Sequence, residues 1–375
     1  MVLWVYELSL ACTLLFTCIK LPKTEFMDRR KFFLSSGALS GAAFLPNVAI
    51  GKIAQPNKLL KPNALKKGDT IGLITPGSAM RRSVLEKTLS NMEMLGFNVK
   101  YTTNMNVKKG FLAGTDEQRL EDIHVMFADQ KVDGIFCARG GYGTGRLLAD
   151  LNYDLIANNP KVFIGYSDIT ALHSAIHEKT GLVTFHGPVG ASEFSSFTKK
   201  AFDLSIVKGK SNIAYRRPVD WDKRNVSAYE GYTINGGATE GAIVGGNLSL
   251  LCSLLGTPYD LTFEGKIVLI EDIGESPYRI DRMLTQLLNS EKLDNCAGVA
   301  LGVFNNCETK PSDPDFSYSI SLRDVLTERF SKLNVPVCYG LPIGHIDDNA
   351  TLPMGVRASL DADRIELKIL ESGVV

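Results

Sequence analysis

The chain is built from short apolar runs, each closed by glycine or another turn residue and followed by a stretch of helical periodicity. Residues 70–75 read as a buried strand that ends at Pro76-Gly77, and residues 82–95 as a helix stopped by Gly96. A second strand is expected over 98–101. A helix over 115–129 follows, with Thr115 and Gln118 spaced for a capping box, then a strand over 134–138. A helix over 144–150, a strand over 162–165 and a helix over 168–178 continue the series. This alternation predicts an α/β fold with a parallel, helix-covered sheet, because parallel neighbours can be joined only by crossovers long enough to hold a helix.

A second block repeats the pattern. Residues 241–247 lead into a helical run over 247–255, a buried strand spans 266–271, and residues 277–290 place Ile280, Met283, Leu284, Leu287 and Leu288 on one helix face. Strands are expected over 298–304 and 335–339, and the alternation across 355–371 predicts an antiparallel finish. The polar stretch 191–237 reads as a linker with short strands. The organisation is thus an N-terminal α/β domain over 58–190, a linker over 191–237 and a C-terminal domain over 238–375.

Residues 1–54 read as a leader. Arg29-Arg30-Lys31 stands before a mildly apolar run rich in Ser, Gly and Ala, which resembles a twin-arginine export signal. Residues 2–19 form a second apolar stretch, interrupted by Glu7 and only just long enough for a membrane span. Translation from Met27 would make residues 1–26 a start-site artefact; a membrane anchor is the other reading. The expectation is export to the periplasm, or a cytoplasmic enzyme where the signal reading fails.

Composition excludes classes rather than choosing one. Lys plus Arg equal Asp plus Glu, 41 each, so the chain has no general attraction to nucleic acid. The leader is basic on balance, which leaves a mildly acidic body. Apolar residues make up 45%, too many for a disordered chain. Seven scattered cysteines, with no C-x-x-C pair, give neither a disulfide scaffold nor a zinc ribbon.

Ligands of open parallel sheets bind beyond the carboxyl ends of strands, and four segments meet that condition. The first runs from an apolar strand through Gly165-Tyr166 into Ser167-Asp168, where a sharp strand–turn–helix connection would expose the Ser167 hydroxyl, although the G-x-S-x-G spelling is absent. The same residues also fit a plain helix cap. The second, 139–146, has the glycine spacing G-G-x-G-x-G, which departs from the dinucleotide fingerprint and better suits a loop that aims the Gly141 N–H at developing negative charge. The third is Glu271, which ends a strand and could orient a histidine or simply face solvent. The fourth is His345, flanked by Gly344 and the turn residues Asp347 to Asn349, where an imidazole could act as general base or lie idle on the surface. A serine hydroxyl needs a base, and the imidazole a carboxylate to fix its tautomer, so Ser167, His345 and Glu271 make sense as a set. A metal reading, with His173 and His177 four apart and His186 as third ligand, lacks the H-E-x-x-H order.

These segments resemble those of the LD-carboxypeptidases, the muramoyltetrapeptide carboxypeptidase family of serine peptidases. The likeness spans roughly residues 62–365. It rests on Gly68 to Ser78, Arg139-Gly140-Gly141-Tyr142-Gly143, Gly165-Tyr166-Ser167-Asp168-Ile169-Thr170 and Gly245-Gly246-Asn247-Leu248. Ile270-Glu271-Asp272 followed by Pro277 to Arg282, and Gly344-His345, complete it. The resemblance implies a Ser167–Glu271–His345 triad, an oxyanion hole from the backbone N–H groups of Gly141 and Asp168, and no metal or cofactor. It also implies a parallel amidotransferase-like sheet domain, a smaller β-rich C-terminal domain and a homodimer. The implied reaction removes the terminal D-alanine of a murein tetrapeptide. Some members of the family instead cleave an aminoacyl-nucleotide antibiotic and confer self-immunity. A non-catalytic muropeptide-binding protein is the alternative outside enzymes.

Overall fold

The computed structural model describes residues 59–223, 226–312 and 317–375. The twin-arginine motif, the apolar stretch 2–19 and the Met27 start lie outside the described residues. No helix of the described residues is long and apolar enough to cross a membrane.

Two sheets carry the fold. The strands in chain order are β1 (Thr70–Ile74), β2 (Asn98–Lys100), β3 (Gly134–Cys137), β4 (Val162–Gly165), β5 (Phe185–His186), β6 (Ile213–Arg216) and β7 (Tyr232–Asn235). They continue with β8 (Ala238–Asn247), β9 (Lys266–Glu271), β10 (Gly298–Val303), β11 (Val337–Gly344), β12 (Leu352–Pro353), β13 (Arg357–Asp361) and β14 (Glu366–Ile369). The first sheet has the order β12-β5-β4-β3-β1-β2 and is parallel except for β12. The second has the order β6-β14-β13-β8-β9-β10-β11-β7, with four central parallel strands and antiparallel edges. Strands β3, β4 and β10 are buried along their whole length, as parallel strands covered on both faces must be. The antiparallel finish is the pair β13–β14.

Local sequence sets most helix limits. Helix Arg82–Leu95 stops at Gly96, whose φ of 86° is the left-handed cap that glycine adopts at least cost. Helix Asp116–Ala128 starts with both halves of the capping box, Thr115 to the Gln118 N–H and Gln118 back to the Thr115 N–H. Helix Pro277–Asn289 has Pro277 in its first turn and buries Ile280, Leu284 and Leu287.

Two expectations change in detail. The helix read over 144–150 is a single 3-10 turn, Thr144–Arg146, followed by turns. Its start is tied down, because Thr144 N–H donates to Asp168 Oδ2 at 3.0 Å and its hydroxyl to the Asp168 carbonyl at 2.5 Å. The stretch 191–237 holds helix Ser196–Phe202 and both edge strands of the second sheet, β6 and β7. The sheets belong to one compact unit, Pro56–Val375. Thr170 Oγ1, at the start of helix Thr170–Thr180, accepts from the Asn247 N–H at 3.0 Å, so the segment after β4 docks on the end of β8.

Candidate active site

The site is assembled from the carboxyl ends of strands in both sheets. After β4 the chain passes Tyr166 in extended geometry and reaches Ser167 at φ 66°. A left-handed serine is strained, and such strain collects at functional turns. The cap alternative does not describe this turn, since neither the 3-10 turn Ser167–Ile169 nor helix Thr170–Thr180 has a side-chain cap.

The glycine loop after β3 is bound to this turn. The Asp168 carboxylate is buried and accepts the Thr144 N–H. Burial raises its pKa, against the lowering effect of the N–H groups of Thr144 and Gly143. Arg119, also buried, donates Nη1 to the carbonyls of Pro76 at 2.5 Å and Gly143 at 2.9 Å, stapling the ends of β1 and the loop together. Gly141 has φ 102°, and a Cβ there would collide with Ser78 Oγ and Cβ, so only glycine fits. The Gly141 N–H donates to no acceptor among the described residues.

The second sheet supplies a buried carboxylate and an imidazole in contact with it. Strand β11 runs beyond the expected 335–339 to Gly344, which puts His345 directly at its end. His345 Nδ1 lies 2.8 Å from Oε2 of the fully buried Glu271, the last residue of β9. Gly344 permits this approach: at φ 116° a Cβ would lie 2.8 Å from that same Glu271 oxygen. Asn305 Nδ2 donates to the His345 carbonyl at 2.6 Å. Burial works against charge on both groups, but their mutual attraction and hydrogen bond outweigh it. Glu271 is held below the usual carboxylate range and His345 above the usual imidazole range.

Of the five residues singled out from the sequence, the structure joins Glu271 to His345 directly. It gathers Ser167, Asp168 and Gly141 around one cavity of about 630 Å³. Ser167 and His345 are not hydrogen-bonded to each other; the link between them is Tyr166, whose ring meets the His345 ring edge-on at 4.7 Å. Such catalytic contacts commonly tighten only when substrate enters. The histidines of the metal reading have other surroundings. His173 Nε2 bonds the Gly165 carbonyl at 2.9 Å, and His186 packs edge-on against Tyr166. No group of three or more His, Cys, Asp or Glu is placed to hold a metal among the described residues.

Several contributors had no role assigned from the sequence. Asn247 lies in register with Glu271 and donates to Asp272 Oδ1 at 3.1 Å, and Asp272 also accepts from Ser249 N and Oγ. Asn247 stood inside a recognised motif, but its partner on the neighbouring strand did not follow from it. Arg119 lies on the helix Asp116–Ala128, and nothing in its local sequence marks it as a staple of the loop.

The chain belongs to the LD-carboxypeptidase family. Its N-terminal domain model matches residues 71–187 and its C-terminal domain model residues 240–360. A probable murein peptide carboxypeptidase of Bacillus subtilis is 40% identical, covering 84% of this chain and 95% of that protein. The structure of a muramoyltetrapeptide carboxypeptidase from Oxalobacter formigenes is similar at TM-score 0.69 and 30% identity, covering 81% of this chain and 99% of that one. The apo structure of the microcin C7 self-immunity protein MccF is similar at TM-score 0.74 and 25% identity, covering 84% and 100%. The family match and the shared fold identify the body as a serine carboxypeptidase of the α/β type expected from the sequence.

Proposed function

We propose that the protein hydrolyses murein tetrapeptides, releasing the terminal D-alanine through attack by Ser167. The observation that carries this reading is the 2.8 Å contact between His345 Nδ1 and buried Glu271, set beside the strained Ser167 turn. Glu271 holds the Nδ1 proton and so leaves His345 Nε2 free as a base. Nε2 takes the proton of Ser167 Oγ, which attacks the carbonyl carbon of the last peptide bond. The tetrahedral oxyanion is received by the backbone N–H groups of Gly141 and Asp168. His345 then protonates the departing D-alanine amine, and water, deprotonated by His345, cleaves the acyl-enzyme to release the tripeptide. No step calls for a metal or cofactor.

Action in the periplasm and homodimer formation belong to the same proposal. Arg29-Arg30 with its weakly apolar run supports export, and the family likeness supports the dimer. Fractionation of the host cell and light scattering of the purified protein test them.

The main test is mass spectrometry of tetrapeptide muropeptides digested with wild type and Ser167→Ala, with a chelator arm. Loss of one alanine with wild type alone, undiminished by chelator, supports the reading. Cleavage of an acyl-sulfamoyl-adenosine with the tetrapeptide untouched transfers the chain to self-immunity. Tetrapeptide binding without turnover makes it a binding protein.

A further inference from the structure

An enzyme that removes only the last residue of a peptide must distinguish a free α-carboxylate from a continuing chain. Removing that carboxylate from water is unfavourable unless a cation or donors receive it. Among the described residues lining the cavity that holds Ser167, Arg146 is the only basic side chain. The acids of the same lining are already engaged. Asp168 holds the Thr144 N–H, and Asp272 accepts from Asn247, Ser249 and the Ile273 N–H.

Arg146 is built into place rather than loose on the surface. Its Nε lies 3.0 Å from both carboxylate oxygens of Asp116, and its Nη2 lies 2.6 Å from Oδ2. Asp116 is shared with buried Arg119, so two guanidinium groups face one carboxylate and a positive charge remains. The Arg146 Nη1 makes no hydrogen bond among the described residues, and about half of the side chain is open to solvent, 47%. Leu148 and Leu250 in the lining lower the local dielectric, which strengthens a charge contact.

We propose that Arg146 receives the free α-carboxylate of the substrate's terminal residue and so makes the enzyme a carboxypeptidase rather than an endopeptidase. This rests on the peptidase reading of the same site. The test compares the murein tetrapeptide with the same peptide carrying a C-terminal amide, using the full chain as wild type and Arg146→Gln. Wild type prefers the acid. In Arg146→Gln the acid-to-amide ratio of kcat/KM falls roughly tenfold to a hundredfold, the usual worth of a charge-assisted hydrogen bond, with the loss mainly in KM for the acid. A purely structural role for the Arg146–Asp116 pair would slow both substrates alike and leave the ratio unchanged, and that outcome overturns the assignment. Where Arg146→Gln fails to fold, Arg146→Met, which keeps the apolar stem, is read in the same way. A wild-type enzyme that turns over neither peptide removes the peptidase reading and this assignment with it.

Discussion

The two halves of the site are held by different means. On the first sheet, Ser167 is placed by backbone: a left-handed φ and a glycine loop whose Thr144 N–H is held by Asp168 and whose Gly143 carbonyl is held by Arg119. On the second, Glu271 and His345 are placed by side chains, through a buried contact that a single glycine leaves room for. The nucleophile side thus depends on conformation, and the base side on charge. Substitutions should therefore fail differently in the two halves: lost geometry on one, altered protonation on the other.

The largest expected effect is from Ser167→Ala, which removes the attacking oxygen. Turnover of tetrapeptide falls on the order of 10⁶-fold while binding persists. Removing the hydroxyl also leaves φ 66° at a residue less suited to it, so the melting temperature does not rise much. Retained wild-type turnover would end the serine mechanism. Next comes Glu271→Gln. The amide nearly preserves shape but stabilises the wrong imidazole tautomer, and a loss on the order of 10³–10⁴ in kcat is expected, with KM little changed. A smaller effect, around 10²-fold in kcat, is expected for Gly141→Ala. There the added methyl is forced against Ser78 Oγ and shifts the N–H proposed to receive the oxyanion. If Gly141→Ala instead matched Glu271→Gln in pH behaviour, the division between conformation and charge would fail.

Much of this was legible in the sequence because the relevant signals are local. Apolar runs closed by glycine located β1, β3, β4, β8, β9 and β10, and capping residues fixed helices such as Asp116–Ala128. Ser167 was visible because a strand, a turn and a helix follow one another within a few residues. The contact between Glu271 and His345 was not visible in this way, since 74 residues separate them and register between β9, β10 and β11 brings them together. The chemical need of an imidazole base for a carboxylate, together with the resemblance, supplied that pairing, and periodicity did not. The 3-10 turn at Thr144–Arg146 was misread as a longer helix because its determinant, Asp168, lies 24 residues away. The edge strands β6 and β7 sit in mixed polar sequence because an edge needs only one protected face. Arg119 and Asp116 gave no sign of holding the loop, since a first-turn acid and a helix-face arginine are ordinary.

The contrast between the halves extends to their histidines. His345 is held above the usual imidazole range by Glu271 despite burial. As a base it must be neutral, so kcat/KM should decline as pH falls, with an apparent pKa above about 6.5. The decline is about tenfold per pH unit below that point. In Glu271→Gln the residual activity should show this limb at lower pH, because the carboxylate that favours the charged ring is gone. An unmoved limb in that variant would detach Glu271 from the titration of His345.

The smallest effect concerns stability and reverses the sign. His173 and His186, on the first-sheet side, are buried and kept neutral, with pKa values lowered by burial to about 3 and about 4. His177 is lowered for the same cause. In the unfolded chain these rings take a proton near pH 6.5, so below that pH the unfolded state binds more protons and stability falls as pH falls. The loss is progressive from about pH 6.5 and stops once the folded pKa values are reached. At pH 5 the His173 and His186 rings each cost about 2 kcal/mol. His345 acts in the opposite sense: its contribution is full below the unfolded pKa and is lost as pH rises through its raised folded value. Urea unfolding between pH 8 and pH 5 should therefore show a steep acid-side loss. His173→Gln, which can still donate to the Gly165 carbonyl, and His186→Gln should each flatten that slope, whatever they do to stability at neutral pH. A slope that is identical in wild type and both variants would mean that the acid loss arises elsewhere, and the first-sheet histidines would then differ from His345 in burial but not in what they contribute to folding.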